Sequence, residues 1–181
     1  MRRIVTVFLL LLLAGGVHAQ SNEKKNPLAG KPFKERVFFG GDLGLSFGTI
    51  TYIRIAPIMG YAITPDLSVG GGPSYQYWED NRFPNSGQSM YGGSVFGRFY
   101  PIDFLFLHTE FEFLNVEAID FSNEDVLNRR VNVPIWWVGG GYSQRSGRTG
   151  FFVGIYYDLI QDIYSPYADD FIIRIGGFFG I

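Results

Sequence analysis

The chain of 181 residues contains no cysteine, three methionines and only two histidines. Without cysteine it forms no disulfide framework and carries no lipoprotein anchor. Basic side chains (15) do not outnumber acidic ones (17), and they form no stripe, so the composition argues against a nucleic-acid binder. With His18 predicted to be removed, only His108 remains, and we expect neither a metal site nor a cofactor.

Long apolar runs are also missing, except at the N-terminus. Residues 1–19 have the three parts of a secretory signal peptide: Arg2 and Arg3, an apolar stretch from Ile4 to Gly16, and a small-residue cleavage site ending at Ala19. The apolar stretch is shorter than the ~20 residues that a spanning helix needs. We therefore predict a signal peptide (1–19), a polar flexible tail (20–34) and one folded domain (35–181).

From Val37 onward, apolar and polar residues alternate with a period of two, which is typical of β-strands. Turn signals rich in Gly, Pro, Asn and Asp separate the alternating segments. These segments predict eight strands, at 37–47, 51–62, 67–78, 89–100, 104–118, 130–142, 150–160 and 170–181. Each is about as long as a tilted membrane-crossing strand, or slightly longer.

Within residues 37–47, 53–61, 67–77, 91–99, 105–113, 131–141, 151–159 and 171–181, the odd positions are free of charge, whereas the even positions carry the polar side chains. A soluble barrel with an apolar lumen would show the same alternation. The aromatic character of the odd face and the Gly and Ser of the even face favour a barrel with its apolar face toward lipid. Because lipid offers no hydrogen bonds, such a sheet must close on itself. The sequence thus predicts an all-β, eight-stranded antiparallel up-and-down transmembrane β-barrel.

Eight strands enclose an interior that side chains can fill, so charges on the even face should pair with one another. Four carboxylates and four guanidiniums lie there in equal number, which predicts an interior charge network of Asp42, Arg54, Arg98, Glu110, Glu112, Arg130, Asp158 and Arg174. Glu110 and Glu112 also fit a catalytic carboxylate pair, but the matching arginines favour the network. His108 lacks a neighbouring nucleophile, and we read it as interior polar filling.

The connections alternate in length, which predicts an orientation. Short ones (64–66, 101–103 and 143–149) are typical of periplasmic turns, and longer polar ones (79–88, 120–129 and 161–169) of external loops, with both termini periplasmic. Aromatic loop residues could anchor a partner: Phe83, Phe121, Tyr164 and Tyr167. Oxygen donors at Asp120, Asn123, Glu124 and Asp125 could hold Ca²⁺, but without motif spacing we interpret them as a solvated loop.

Several motifs resemble those of known proteins. The C-terminal pattern of Arg174, Gly176, Phe179 and Ile181 resembles the signal by which the outer-membrane assembly machinery recognises barrels. The Gly- and aromatic-rich segments at 40–45, 70–73, 96–101 and 139–142 resemble small outer-membrane β-barrel proteins of the OmpA/OmpX type, and a barrel domain common in Bacteroidota. The resemblance covers residues 37–181. It implies an integral protein of a Gram-negative outer membrane, and it specifies the barrel better than the activity.

Our leading interpretation is a non-enzymatic barrel with a structural or surface-interaction role. Its expected partners are outer-membrane lipid and lipopolysaccharide, the barrel assembly machinery during biogenesis, and a surface protein bound through the external loops. Two alternatives stay open: a narrow channel for small or apolar solutes, and a lipid-modifying enzyme that uses His108.

Overall fold

A computed structural model describes residues 28, 30–82, 86–120, 125–167 and 171–180; side chains at 46, 50, 118–120 and 125–129 are not described. The predicted signal peptide, most of the polar tail, Phe83, Phe121 and Ile181 therefore lie outside the described residues. So do Asn123 and Glu124, while Asp120 and Asp125 are described by backbone alone.

The chain is confirmed as an all-β, eight-stranded antiparallel up-and-down barrel. A short 3-10 helix, Phe33–Arg36, leads into the first strand. The strands are β1 Val37–Ser46, β2 Ile50–Ala62, β3 Leu67–Asp80, β4 Gln88–Ile102, β5 Leu105–Asp120, β6 Asp125–Ser146, β7 Thr149–Asp158 and β8 Phe171–Gly180. Each pairs with the next in sequence, and β1 pairs with β8 from Phe38↔Gly180 to Leu43↔Ile175, which closes the sheet. Among the residues described, none form a helix of the length and apolarity needed to cross a membrane.

We call the two rims of the barrel the terminal end, where β1 begins and β8 finishes, and the loop end, where β1 turns into β2. The connections β2–β3, β4–β5 and β6–β7 lie at the terminal end. The last is a two-residue turn in which Gly147 adopts φ +61°, a conformation that costs glycine little. The segment 143–149, predicted as a connection, is therefore mostly strand.

Strand β6 is much longer than predicted, with 22 residues instead of the 13 of segment 130–142. Its first half pairs only with β5, because β7 joins the ladder at Trp137↔Asp158. The register also shifts between Glu117 and Ile119 of β5. Residues 120 and 125–129 of the predicted loop 120–129 are therefore strand, and β5 and β6 extend as a raised hairpin beyond the rest of the loop end.

In seven strands the odd residues face outward, as the alternation predicts. Strand β6 is the exception: its register places Trp137 opposite Glu110 and Ile135 opposite Glu112, so its odd residues face the interior. Trp137 and Ile135 are fully buried, while Trp136 is exposed on the outer wall. The prediction for β6 was wrong because both faces of its central segment are apolar, so that alternation alone does not fix which face is buried.

The interior is layered, as the inward residues of β5 show. Phe106 and His108 lie toward the terminal end, Glu110 and Glu112 in the middle, and Leu114 and Val116 toward the loop end. Neighbouring strands extend each layer, with Phe152 and Tyr156 on the terminal side of the charges, and Met90 and Val133 on the loop side, where Val133 pairs with Leu114. A layer of charges thus lies between two layers of apolar side chains.

Candidate functional site

The charge layer is centred on Arg54, which is fully buried in the middle of β2. Its Nε donates to Asp42 Oδ1 at 3.0 Å, and its Nη1 donates to Glu112 Oε1 and Oε2 at 2.9 and 3.0 Å. Its Nη2 donates a longer bond, 3.4 Å, to Glu110 Oε1. One guanidinium therefore links three carboxylates across the barrel from β1 and β2 to β5.

Glu112 accepts three further bonds from neighbouring strands. Ser74 Oγ donates to Oε1 at 2.5 Å, Gln76 Nε2 to Oε1 at 3.2 Å, and Trp137 Nε1 to Oε2 at 2.9 Å. With the two bonds from Arg54, five donor contacts fall on two oxygens, which offer about four lone-pair positions. This carboxylate is saturated and fully buried, which disfavours a role as a catalytic base.

Glu110 connects the layer to a second arginine and to the histidine. Arg174 Nη1 donates to Glu110 Oε2 at 2.6 Å, and His108 Nε2 lies 3.2 Å from the same oxygen. Arg98 Nε donates to His108 Nδ1 at 3.3 Å. Since arginine stays protonated, Nδ1 must accept, and the geometry assigns a neutral His108 that carries its proton on Nε2.

Arg174 and Arg98, the two interior arginines on either side of Glu110 and His108, lie against aromatic rings. Arg174 lies over Trp137 and Tyr156, with its Cζ 4.6 and 4.7 Å from the ring centroids, and its Nε and Nη2 have no hydrogen-bond partner among the described residues. Arg98 lies over Phe152 and Phe106 at 4.1 and 4.7 Å. Cation–π contact thus complements a hydrogen-bonded chain that runs from Arg98 through His108 and Glu110 to Arg174.

Two predicted members of the network lie elsewhere. Asp158 is buried at the loop end, where its Oδ1 accepts from the backbone N–H groups of Trp136 and Ile160 and its Oδ2 from Ser165 Oγ. It orders the start of the β7–β8 connection and pairs with no arginine among the described residues.

Arg130 corrects the prediction more sharply, because it faces outward. It pairs with Glu117 at 2.9 Å and lies over the ring of Tyr91 at 4.6 Å. Asn115 and Asn132, bonded to each other at 2.8 Å, lie beside it. The reversed face of β6 accounts for the error: the same shift that buries Trp137 brings Arg130 onto the outer wall.

The outer wall below this polar cluster is apolar. Large aliphatic side chains are exposed midway along the strands, among them Val95 (64%), Leu107 (57%), Ile155 (54%) and Ile173 (63%). Aromatic rings are exposed closer to the rims, including Phe39, Phe99, Phe151 and Phe179 at the terminal end. Charged groups in the middle of the barrel point inward, whereas the polar cluster of Arg130, Glu117, Asn115 and Asn132 begins near the loop end.

The aromatic residues predicted as loop anchors differ in exposure. Tyr164 is 37% exposed, and its neighbour Ile163 is 78% exposed. Tyr167 is buried: its ring packs on Trp137 at 4.8 Å between centroids, and its hydroxyl lies 3.1 Å from that of Tyr52. Burial raises the pKa of Tyr167 well above its ordinary value. Tyr167 therefore closes the loop end of the interior, and the prediction that it is an exposed anchor is wrong.

The residues of the predicted assembly signal lie on both faces of β8. Arg174 and Gly176 point into the barrel, and Phe179 is exposed beside Phe39 of β1, with 6.2 Å between ring centroids. Gly176 leaves room for Phe152: a Cβ on it would come 2.4 Å from that ring. The signal thus includes residues that the barrel itself needs for packing.

Sequence reasoning missed three of the groups that hold Glu112: Ser74, Gln76 and Trp137. The first two occupy even positions of β3 and could have been included as neutral donors for the interior carboxylates. Trp137 could not, because its inward direction depends on the register between β5 and β6.

No protein-family model matches the chain, and no similar protein was found among curated proteins. Two solved structures have a similar fold. The N-terminal β-barrel domain of Pseudomonas aeruginosa OprF is 12% identical, with a TM-score of 0.46 over 82% of this chain and 98% of that chain. A barrel from work on the de novo design of transmembrane β-barrels is 13% identical, with a TM-score of 0.45 over 81% and 96%. At these identities the similarity concerns fold alone.

Proposed function

We propose that the protein is an integral outer-membrane β-barrel with a closed interior, which acts through its rims and loops rather than by passing solutes. One observation carries the proposal: a continuous apolar outer wall surrounds a lumen whose central charges, Arg54 and Arg174 with Asp42, Glu110 and Glu112, pair with one another. An arginine or lysine on the lipid face costs roughly 2–4 kcal/mol at the bilayer midplane, and the inward direction of Arg54, Glu110 and Arg174 is consistent with that cost.

The outer membrane is favoured by the combination of an export signal and a barrel, as predicted from the sequence. The proposed orientation, with both termini periplasmic, is supported by short connections at the terminal end and by the longer β3–β4 and β7–β8 connections at the loop end. The raised β5–β6 hairpin, with the polar pair of Arg130 and Glu117 on its outer face, would then lie at the external surface.

Insertion can be tested directly. The urea-unfolded protein should fold into phosphatidylcholine vesicles to a form that migrates differently in gels before and after boiling, and whose strands resist protease. A chain that folds equally well in water without lipid or detergent would contradict the proposal.

The closed interior argues against the channel alternative. Arg54 and its three carboxylates span the lumen, and apolar layers lie on both sides of them. We expect no stable conductance steps in planar bilayers. Reproducible steps would favour the narrow channel instead.

The enzyme alternative gains little support from the site. His108 is buried, hydrogen-bonded through both ring nitrogens and remote from the outer wall. Mass spectrometry of lipid A should find the same species in cells with the wild-type protein and with His108→Ala. A species that is lost with the variant would revive this alternative.

A surface-interaction role remains our proposal for the loop end. Lipopolysaccharide bridged by divalent cations to Glu79 or Asp162 is the simplest partner chemistry, and a surface protein bound near Ile163 and Tyr164 is the other. If bridging occurs, Mg²⁺ should stabilise the barrel in lipopolysaccharide-containing vesicles, and Asp162→Asn with Glu79→Gln should reduce the effect.

For the barrel assembly machinery, we propose Phe179 as the exposed contact in the C-terminal pattern. Phe179→Ala should lower the amount of barrel in cell membranes while leaving folding into vesicles intact. Equal loss in both settings would assign Phe179 to barrel stability instead.

A further inference from the structure

The terminal end contains a cavity of about 200 Å³ that the functions above do not use. Its walls are mainly apolar and include Phe38, Ala62, Leu67, Tyr100 and Phe178. Arg36, Arg145 and Arg148 lie around its mouth, and Arg98 and Ser68 lie deeper, between β3 and β4. The cavity therefore has apolar walls, with cationic side chains at its floor and around its rim.

Arg98 at this floor is 4% exposed and has no carboxylate within ion-pair distance among the described residues. Its Nε donates a hydrogen bond to His108, and its guanidinium plane lies over the rings of Phe152 and Phe106. No hydrogen bond to a described residue involves its Nη1 or Nη2. A buried charge normally requires a partner of opposite sign, and here the described chain supplies none.

Ser68 lies directly opposite Arg98 in the β3–β4 ladder, and it too faces the cavity. It is 8% exposed, and its hydroxyl makes no hydrogen bond with the described chain. The Ser68 hydroxyl and the two Nη atoms of Arg98 therefore belong to opposite residues that line one cavity, and they supply donors for which no partner is found among the described residues. These donors are what an anion needs.

Two of the three acidic groups near the mouth are engaged by cations, whereas the exposed Asp66, between the lining residues Pro65 and Leu67, has no ion pair among the described residues. Glu35, which lines the cavity, pairs with Lys31 at 3.5 Å, and Asp103 lies 3.7 Å from Arg145. Arg145 also donates to the backbone carbonyl of Pro65 and lies over Tyr100. The mouth keeps an excess of positive charge, because Lys31, Arg36, Arg145 and Arg148 outnumber Glu35, Asp66 and Asp103, and this excess would attract an anion.

We propose that this cavity binds a small organic carboxylate, with Arg98 and Ser68 holding its carboxylate and the apolar walls its body. A guanidinium edge matches the two oxygens of a carboxylate. A phosphate would leave further charged oxygens facing Phe38 and Phe178 without donors. The volume lies below the ~300 Å³ at which sites for drug-sized ligands begin, which suits a molecule of the size of benzoate.

The test is a ¹⁹F NMR titration of 4-fluorobenzoate against the folded barrel in dodecyl maltoside micelles, with 4-fluorobenzyl alcohol as the uncharged counterpart. We expect saturable binding of the carboxylate and none of the alcohol. Arg98→Gln should weaken binding by about tenfold or more, because it removes a charge-assisted bond. Arg82→Gln, an arginine at the opposite rim, should leave the affinity unchanged. The assay requires only the folded barrel, so its result is independent of the proposed membrane role.

Two further measurements keep the proposal falsifiable if Arg98→Gln fails to fold. Ser68→Ala should weaken binding several-fold, with folding verified by the gel shift. Inorganic phosphate should compete poorly. An absence of saturable binding to the wild type would overturn the proposal. So would wild-type affinity in both the Arg98→Gln and Ser68→Ala variants, or tighter binding of phosphate than of the carboxylate.

Discussion

Arg54 Nη1 lies 2.9 and 3.0 Å from the two oxygens of Glu112, at a separation of 58 residues in sequence. Both side chains are fully buried. The contact joins β2 to β5 across the lumen, so it braces opposite sides of the barrel. Ser74, Gln76 and Trp137 surround the same carboxylate and fix its position.

Removing Arg54 should therefore be costly. Arg54→Met leaves Asp42, Glu110 and Glu112 buried without their shared cation, and we expect a loss of about 3–5 kcal/mol in the free energy of unfolding. Urea titration of the folded barrel in vesicles measures this loss. Lys31→Met, which breaks an exposed pair with Glu35, should cost about 1 kcal/mol or less. Similar losses for both variants would show that the central network contributes little.

The reversed face of β6 makes adjacent tryptophans behave differently. Trp136 is 46% exposed on the outer wall, and Trp137 is fully buried. Lipids brominated on their acyl chains should quench the fluorescence of a variant that retains only Trp136, and have little effect on one that retains only Trp137. The variants are Trp78→Phe with Trp137→Phe, and Trp78→Phe with Trp136→Phe. The opposite result would restore the face predicted from sequence.

The apolar wall predicts where a charge is tolerated. Val95→Arg places a guanidinium midway along β4 on the outer wall, and we expect it to cost roughly 2–4 kcal/mol in a bilayer. Ile163→Arg, at a more exposed residue of the β7–β8 connection, should change the free energy of unfolding little. Vesicle refolding followed by urea unfolding compares the two. A negligible cost at Val95 would mean that this wall does not face lipid.

Tyr167 predicts a response to alkaline pH. Because burial raises the pKa of Tyr167, the folded chain keeps its proton where the unfolded chain, with a pKa near 10, loses it. Stability from this group is complete below pH ~10 and falls as pH rises toward the raised pKa. In that window the unfolding free energy of wild type should drop by about 1.4 kcal/mol more per pH unit than that of Tyr167→Phe. Parallel slopes would indicate that Tyr167 is accessible to solvent.

Much of the barrel could be predicted from the sequence because a strand has a fixed period of two. Charges such as Asp42 and Arg54 lie on even positions in the middle of their strands, and this indicates both the strand and its inner face. Turn residues then separate eight such segments. The same logic failed for β6, where Val133, Ile135 and Trp137 alternate with Pro134, Trp136 and Val138, and neither set is polar.

The composition of the charge network was only partly predictable. Asp42, Arg54, Glu110, Glu112 and Arg174 meet because their strands bring them to one level of the barrel. Arg98 meets His108 at a lower level, and Asp158 meets backbone donors at a higher one. Whether a side chain faces inward depends on its own strand alone. Whether two inward side chains contact each other depends on the register between their strands, which the alternation of apolar and polar residues does not encode.

The sequence by itself determined a closed antiparallel sheet of eight strands, and the inner face of seven of them, because local alternation and turn chemistry suffice for both. Only the tertiary structure decided that Trp137 bonds Glu112, that Arg130 lies outside and that Arg98 meets no carboxylate among the described residues. Each of these depends on how far one strand slides along its neighbour. A shift of a single residue there exchanges the two faces of a strand and changes every partner across the lumen.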